Sequence, residues 1–251
     1  MFRGSASEGD RVIEREKAIN EVLQKPTVDC LLLRHLSRLK GGFVNSRMRQ
    51  QVWPKLLGVN RYAIVDYRAF ITISEADIPD VSVDIERSLW NWDMNKDWID
   101  SKRDLRRKAL SDIIRGILLK NRKELSYFQG FHDTVSVFLM VLDDDHLTFA
   151  LSEVVANRYM SDYMKPDFET VAKMMRLLMV LISVADKKLF KFLTAAKMEP
   201  FFATSWLLTW FSHDLKDLND IARIFDALLC SHPLFCFYVC AVVRNIYIQF
   251  I

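Results

Sequence analysis

The sequence predicts an all-α fold: one domain of about a dozen helices around a continuous core. Three observations carry this. Only seven Gly and six Pro punctuate 251 residues, too few for a turn-dense all-β chain. Apolar residues recur at helical spacing in one segment after another, with no succession of short alternating strands. Hydrophobic residues make up 51% of the chain, including seventeen Phe and six Trp, enough to bury a large core at this length.

The elements follow in order. Residues 1–9 read as a polar, disordered start. From Asp10 the stripe Val12, Ile13, Ala18, Ile19, Val22 and Leu23 marks a first helix, ended by Lys25-Pro26-Thr27. A second spans 28–39 and breaks at Gly41-Gly42. Asn45 or Ser46 caps a third, which carries Met48, Val52, Leu56 and Leu57 and stops at Gly58. Residues 62–73 permit either strand or helix: their β-branched and aromatic content suits a strand, their neighbours a helix. Pro79 suits the start of a short helix carrying Asp84 and Arg87. Asp100 or Ser101 caps a basic helix reaching Lys120. A helix follows over 127–142, ended by Asp143-Asp144-Asp145. Further helices are expected at 146–160, 167–184, 186–196, 201–214, 218–230 and 234–250, with Pro166, Pro200 and Pro233 near their starts. No repeat of solenoid length is present, which excludes a stacked-repeat scaffold.

Composition excludes several function classes. Charged residues are an ordinary 27% and the formal net charge is +3, too small to indicate nucleic acid. Lys102, Arg103, Arg106, Arg107 and Lys108 cluster. On a helix whose apolar side is Leu105, Ile113, Ile114 and Ile117 they fall mostly on the wet face. Contact with an acidic partner or a membrane surface is the alternative. Cys30, Cys230, Cys236 and Cys240 form no C-x-x-C pair, and no His or acidic residue is spaced to complete a zinc set. They read as reduced core cysteines of a cytosolic protein, with no metal site. No secretory signal is visible, and the apolar run 234–243 is about half of what spans a bilayer, so no transmembrane segment is expected.

Two short strings carry chemistry: Val81-Ser82-Val83-Asp84-Ile85-Glu86-Arg87 and Tyr127-Phe128-Gln129-Gly130. A guanidinium is planar, permanently charged and bidentate, matching the oxygens of a transferring phosphoryl group. A glutamine amide both accepts and donates, so it can hold an attacking water. Stabilising phosphoryl transfer needs both jobs done, and Arg87 and Gln129 are candidates for them. Read plainly, Asp84 and Arg87 are instead an i,i+3 pair, and Tyr127 packs in the core at a helix start. Gly130 removes a side chain beside Gln129, permitting close approach or an unusual dihedral. His132 and Asp133 follow, but no G-x-S-x-G or other nucleophile context supports a hydrolase. They read as supporting hydrogen-bonders. No G-x-x-x-x-G-K-[ST] is present, so any nucleotide is held by a partner.

These strings sit among others that resemble one family. Arg47-Met48-Arg49-Gln50-Gln51-Val52-Trp53-Pro54-Lys55-Leu56-Leu57-Gly58 resembles the R-x-x-x-W-x-x-L-x-G opening of TBC domains, the catalytic domains of Rab GTPase-activating proteins. Val81-x-x-Asp84-x-x-Arg87 resembles the family's I-x-x-D-x-x-R, and Tyr127-Phe128-Gln129-Gly130 its Y-x-Q-G. Ser205-Trp206-Leu207-Leu208-Thr209-Trp210-Phe211 and Arg223-Ile224-Phe225-Asp226 resemble its later segments. The resemblance begins near Arg47. It implies an all-helical Rab-GAP domain over 10–251 that activates a partner's GTPase and is not an enzyme in its own right. Arg87 would be an arginine finger and Gln129 a glutamine finger, both supplied in trans. Asp84, Tyr127, Gly130, His132 and Asp133 would support them. Arg47, Trp53, Trp206 and Trp210 would serve the partner's groove, although the tryptophans read first as core residues. The partner implied is a GTP-bound Rab that brings its own GTP and magnesium; the domain itself needs no cofactor. Several runs resemble one subgroup, whose members act on a Rab of endoplasmic reticulum–Golgi traffic and carry a C-terminal membrane anchor. That places the chain in the cytoplasm, at the cytosolic face of those membranes. The family domain continues through helices beyond the position of Ile251, so the resemblance implies that the last helices and the anchor are missing here. A non-catalytic Rab-binding module is the alternative this implies.

Overall fold

A computed structural model describes residues 8–73, 81–90, 92–166 and 168–248. Thirteen α-helices are found among them: α1 Glu8–Leu23, α2 Cys30–Arg38, α3 Ser46–Leu57, α4 Arg68–Ile73, α5 Ser82–Arg87, α6 Asp100–Lys120, α7 Phe131–Leu142, α8 Asp145–Arg158, α9 Phe168–Ala185, α10 Lys187–Ala195, α11 Thr204–Thr209, α12 Leu218–Leu229 and α13 Phe235–Ile248. Two short 3₁₀ turns, Asp93–Asn95 and Pro200–Ala203, complete the regular structure, and no strand occurs among the described residues.

At the centre lies α7. Every residue of it but Met140 is buried, including the polar His132, Asp133, Thr134 and Ser136 of its first turns. Helices α3, α6, α8, α11 and α12 pack around it. One aromatic cluster joins these layers. Trp53 of α3 meets Phe138 of α7 edge-on at 5.5 Å. Phe225 of α12 meets Phe138 at 5.5 Å and Trp210 at 5.2 Å, also edge-on. Such pairs contribute about 0.5–1.5 kcal/mol each beyond the area they bury.

Local chemistry sets several helix ends. Asn45 caps α3 by accepting from the Met48 amide at 3.0 Å, and Gly58 ends it in the left-handed region (φ +72°). Asp144 caps α8 through the Leu147 amide. At α6 neither expected cap acts: Ile99 is the N-cap, and Asp100 pairs instead with Arg103 at 3.3 Å.

Several expectations are corrected. The first helix begins at Glu8, two residues before Asp10; residues 1–7 lie outside the described residues, as does Pro79. The ambiguous stretch 62–73 is an irregular segment followed by α4. Its aromatic content serves the core, since buried Tyr67 stacks on Phe149 at 5.3 Å. The helix over 201–214 is broken. Trp210 and Phe211 adopt positive φ (+50° and +67°) while their side chains stay buried, so packing overrides helical propensity there. On α6 the wet and buried faces differ in part from those expected. Leu105 is 69% exposed and Arg103 is 1% exposed, because the chain leaving α5 covers the face that carries Arg103.

Candidate functional site

The helix expected over 127–142 begins only at Phe131, and this places Gln129 in the preceding turn. Gly130, the N-cap residue, has φ +112°, and a Cβ on it would meet the Thr209 methyl of α11 at 3.0 Å. Glycine therefore meets two demands, the dihedral and the close approach. Upstream, the Ser126 amide donates to the Met164 carbonyl at 2.7 Å. That bond holds the segment extended against the turn after α8.

Tyr127 reaches from this segment to α5. Its hydroxyl donates to Asp84 Oδ2 at 2.6 Å and lies 3.1 Å from His132 Nδ1. His132 Nδ1 also lies 3.7 Å from Asp84 Oδ2, and its Nε2 lies 3.4 Å from Asp133 Oδ1. Asp133 Oδ2 is 3.0 Å from Nδ1 of His213, beyond α11. One polar chain, Asp84–Tyr127–His132–Asp133–His213, thus joins α5, the turn before α7, α7 itself and the segment after α11. Burial and the neighbouring Asp84 raise the Tyr127 phenol, which keeps its proton available as a donor. The hydrogen bond to Asp133 raises His213, against the opposing effect of burial.

The network settles how Asp84 and Arg87 relate. The two do not form the i,i+3 ion pair; Asp84 is taken by Tyr127. Arg87, on the same helix face, is exposed, and no hydrogen-bond or ion-pair partner for its guanidinium is found among the described residues. The same is true of the Gln129 amide. The hydrogen bond at 2.6 Å therefore brings together the two strings that carry these side chains while leaving both free. A fixed frame presenting a free guanidinium and a free amide suits recognition of an anion and of a water beside it.

Not every candidate lies in this frame. Trp53 is fully buried and donates its indole N–H to Asp226 Oδ1 at 2.8 Å; Trp210 is buried against Tyr159 and Phe225. Neither presents a surface to a partner: both are core residues, as their helical spacing suggests, and the partner-facing role is corrected for both. Trp206 is half-buried, stacked on Phe211 at 5.6 Å, and its carbonyl accepts from the Cys236 thiol of α13. Arg47 is exposed on α3 and takes no part in the network. Among the described residues no group of three His, Cys, Asp or Glu is placed to hold a metal ion, and no helix is long and apolar enough to cross a membrane.

Two arrangements were missed. The arginine of the R-x-x-x-W spacing that matters structurally is Arg49, not Arg47. Arg49, 2% exposed, donates from Nε and Nη2 to Asp226, which is 0% exposed and also accepts from the Phe43 amide at 3.0 Å. Burial raises the Asp226 carboxyl while Arg49 pulls it down. Every neighbour on it is a donor, which suits the carboxylate form. Both motifs stand in the sequence, but nothing in it says that they meet. His213 had no signal: its partner Asp133 is 80 positions upstream.

The Rab-GTPase-TBC domain description matches residues 46–250. The chain belongs to the TBC family of Rab GTPase-activating proteins. Among its relatives, TBC1 domain family member 20 of Bos taurus is 33% identical over 246 residues, covering 96% of this chain and 60% of that protein. GTPase-activating protein gyp10 of Schizosaccharomyces pombe is 32% identical over 215 residues, covering 85% of this chain and 56% of that protein. This TBC chain thus spans 60% and 56% of the length of these two relatives. Of solved structures, the Chlamydomonas flagellar RabGAP TBC domain superposes with a TM-score of 0.68 at 19% identity, covering 96% of this chain and 80% of that one. The Ypt/Rab-GAP domain of Gyp1p superposes with a TM-score of 0.70 at 16% identity, covering 94% and 86%. These two establish the shared TBC fold.

Proposed function

We propose that this TBC domain accelerates GTP hydrolysis by a Rab GTPase, with Arg87 and Gln129 acting in trans on nucleotide and magnesium that the Rab carries. The observation supporting it most is the Tyr127–Asp84 hydrogen bond, which ties the two strings together while both side chains remain exposed. Arg87 sets its fork against the oxygens on which charge develops as the γ-phosphoryl group leaves. Gln129 accepts from the attacking water and donates toward the phosphoryl oxygens. Both groups sit on a frame fixed before the partner arrives, so little reorganisation is spent in reaching the transition state. Asp84, Tyr127 and His132 hold that frame and touch no phosphate themselves. The domain contributes side chains and no cofactor. Resemblance to TBC1 domain family member 20 supports a role in vesicle traffic between endoplasmic reticulum and Golgi, exercised at the cytosolic face of those membranes.

The test is a panel of Rabs loaded with GTP and assayed for phosphate release with and without this protein. At least one Rab is expected to be stimulated. Gln129→Ala is expected to lower that stimulation by roughly 10²–10³-fold, the scale of losing one preorganised transition-state contact. Rab binding without stimulation by the wild type would replace this reading with a non-catalytic binding module. Full activity in Gln129→Ala would remove the glutamine from the mechanism.

A further inference from the structure

Arg87 ends a six-residue helix, far shorter than an isolated helix needs to persist. Its guanidinium also has no hydrogen-bond or ion-pair partner among the described residues to hold it. The Asp84–Tyr127 bond secures the first turn of α5. What secures the last turn lies on α6. Arg107 there donates from Nη2 to the Glu86 carbonyl, and from Nη2 and Nε to the Ser88 carbonyl at 2.9 and 3.3 Å. These two carbonyls flank Arg87 in sequence. One turn earlier on α6, Arg103 donates from Nε to the Leu89 carbonyl at 3.4 Å, and its guanidinium lies 3.3 Å from the Trp90 ring centroid.

The backbone needs this help. Leu89 has φ +61°, a left-handed conformation that costs a branched residue energy and persists only where its surroundings fix it. Its side chain is buried, its carbonyl is held by Arg103, and the next ring is stacked on the same cation. A cation at the C-terminus of a helix also meets the negative end of the helix dipole and the carbonyls that lack intrahelical partners. Two members of the basic cluster are therefore turned toward α5, away from any wet face.

We infer that Arg107, with Arg103 behind it, is a positioning residue for hydrolysis: it clamps the carbonyls on either side of Arg87 and fixes where that guanidinium emerges. The inference rests on the role proposed above for Arg87. Displacement of a reacting group by about 1 Å can cost roughly 10²-fold in rate. Arg107 is the better probe of the pair because its side chain is 15% exposed while Arg103 is 1% exposed, so its replacement threatens the fold less.

The experiment uses the full chain and the Rab it stimulates most in the panel. Arg107→Ala is expected to lower kcat by roughly 10²-fold and to leave KM for the GTP-loaded Rab nearly unchanged. Arg107→Lys, which can still donate to one carbonyl, is expected to recover part of the loss. Hydrogen exchange in the free protein is expected to quicken at the amides of residues 87–90 in Arg107→Ala while α7 stays protected. A rise in KM with kcat intact, full activity in Arg107→Ala, or unchanged exchange at 87–90 would each overturn the assignment. Failure of the wild type to stimulate any Rab would overturn the functional reading and with it the catalytic purpose of the clamp. The exchange measurement separates the cases, because it reads the clamp without any Rab present.

Discussion

Arg87→Ala is expected to abolish stimulated GTP hydrolysis, a loss of roughly 10³–10⁵-fold, the range that an arginine supplied in trans contributes. The side chain is exposed and meets no described partner, so the variant should melt like the wild type, within about 0.5 kcal/mol. Arg87→Lys should fare little better. An ammonium is a point charge and cannot place two parallel donors on two phosphoryl oxygens. Single-turnover phosphate release from the responsive Rab, with circular dichroism of each variant, measures both halves of the expectation. Stimulation that survives Arg87→Ala would show that the charge comes from elsewhere.

The second large effect is on stability. Asp226→Ala should cost about 3–5 kcal/mol, the usual penalty for breaking a buried ion pair and leaving one charge behind. Four donors would lose their acceptor at once: the Phe43 amide, the Trp53 indole and two nitrogens of Arg49. The site has no slack to absorb the change. A Cβ on Gly42 would already stand 2.5 Å from Asp226 Oδ2. For a domain of this size the loss corresponds to a fall in Tm on the order of 10 °C. Urea unfolding followed by circular dichroism gives the value, and a cost under about 1 kcal/mol would show that water replaces the carboxylate. Replacing both partners, as in Arg49→Met with Asp226→Leu, should not restore stability, because Phe43 and Trp53 would still lack an acceptor.

Much of this was legible beforehand, for reasons that differ by level. Helical period, scarce glycine and caps such as Asn45 are local, and they fixed the helices around them. The catalytic candidates were legible as chemistry, since the distinctive donors of Arg87 and Gln129 stand in short recognisable strings. Faces and breaks were less so. Trp53 and Trp210 read first as core residues but left a groove open, and their burial closed that alternative. Trp210 and Phe211 left the helix because packing their rings outweighed continuing it.

The sequence by itself determined that the chain is helical, that it belongs with the TBC domains, and which arginine and glutamine to consider. These follow from the periodicity and identity of residues near one another. The tertiary structure decided how they are held. The bond from Tyr127 to Asp84, the cluster of donors on Asp226 and the grip of Arg107 on the carbonyls around Arg87 join segments 19 to 183 positions apart. Such contacts form only when the core closes. A side chain's type lies in the sequence, but the polar group that meets it is chosen by how the helices pack.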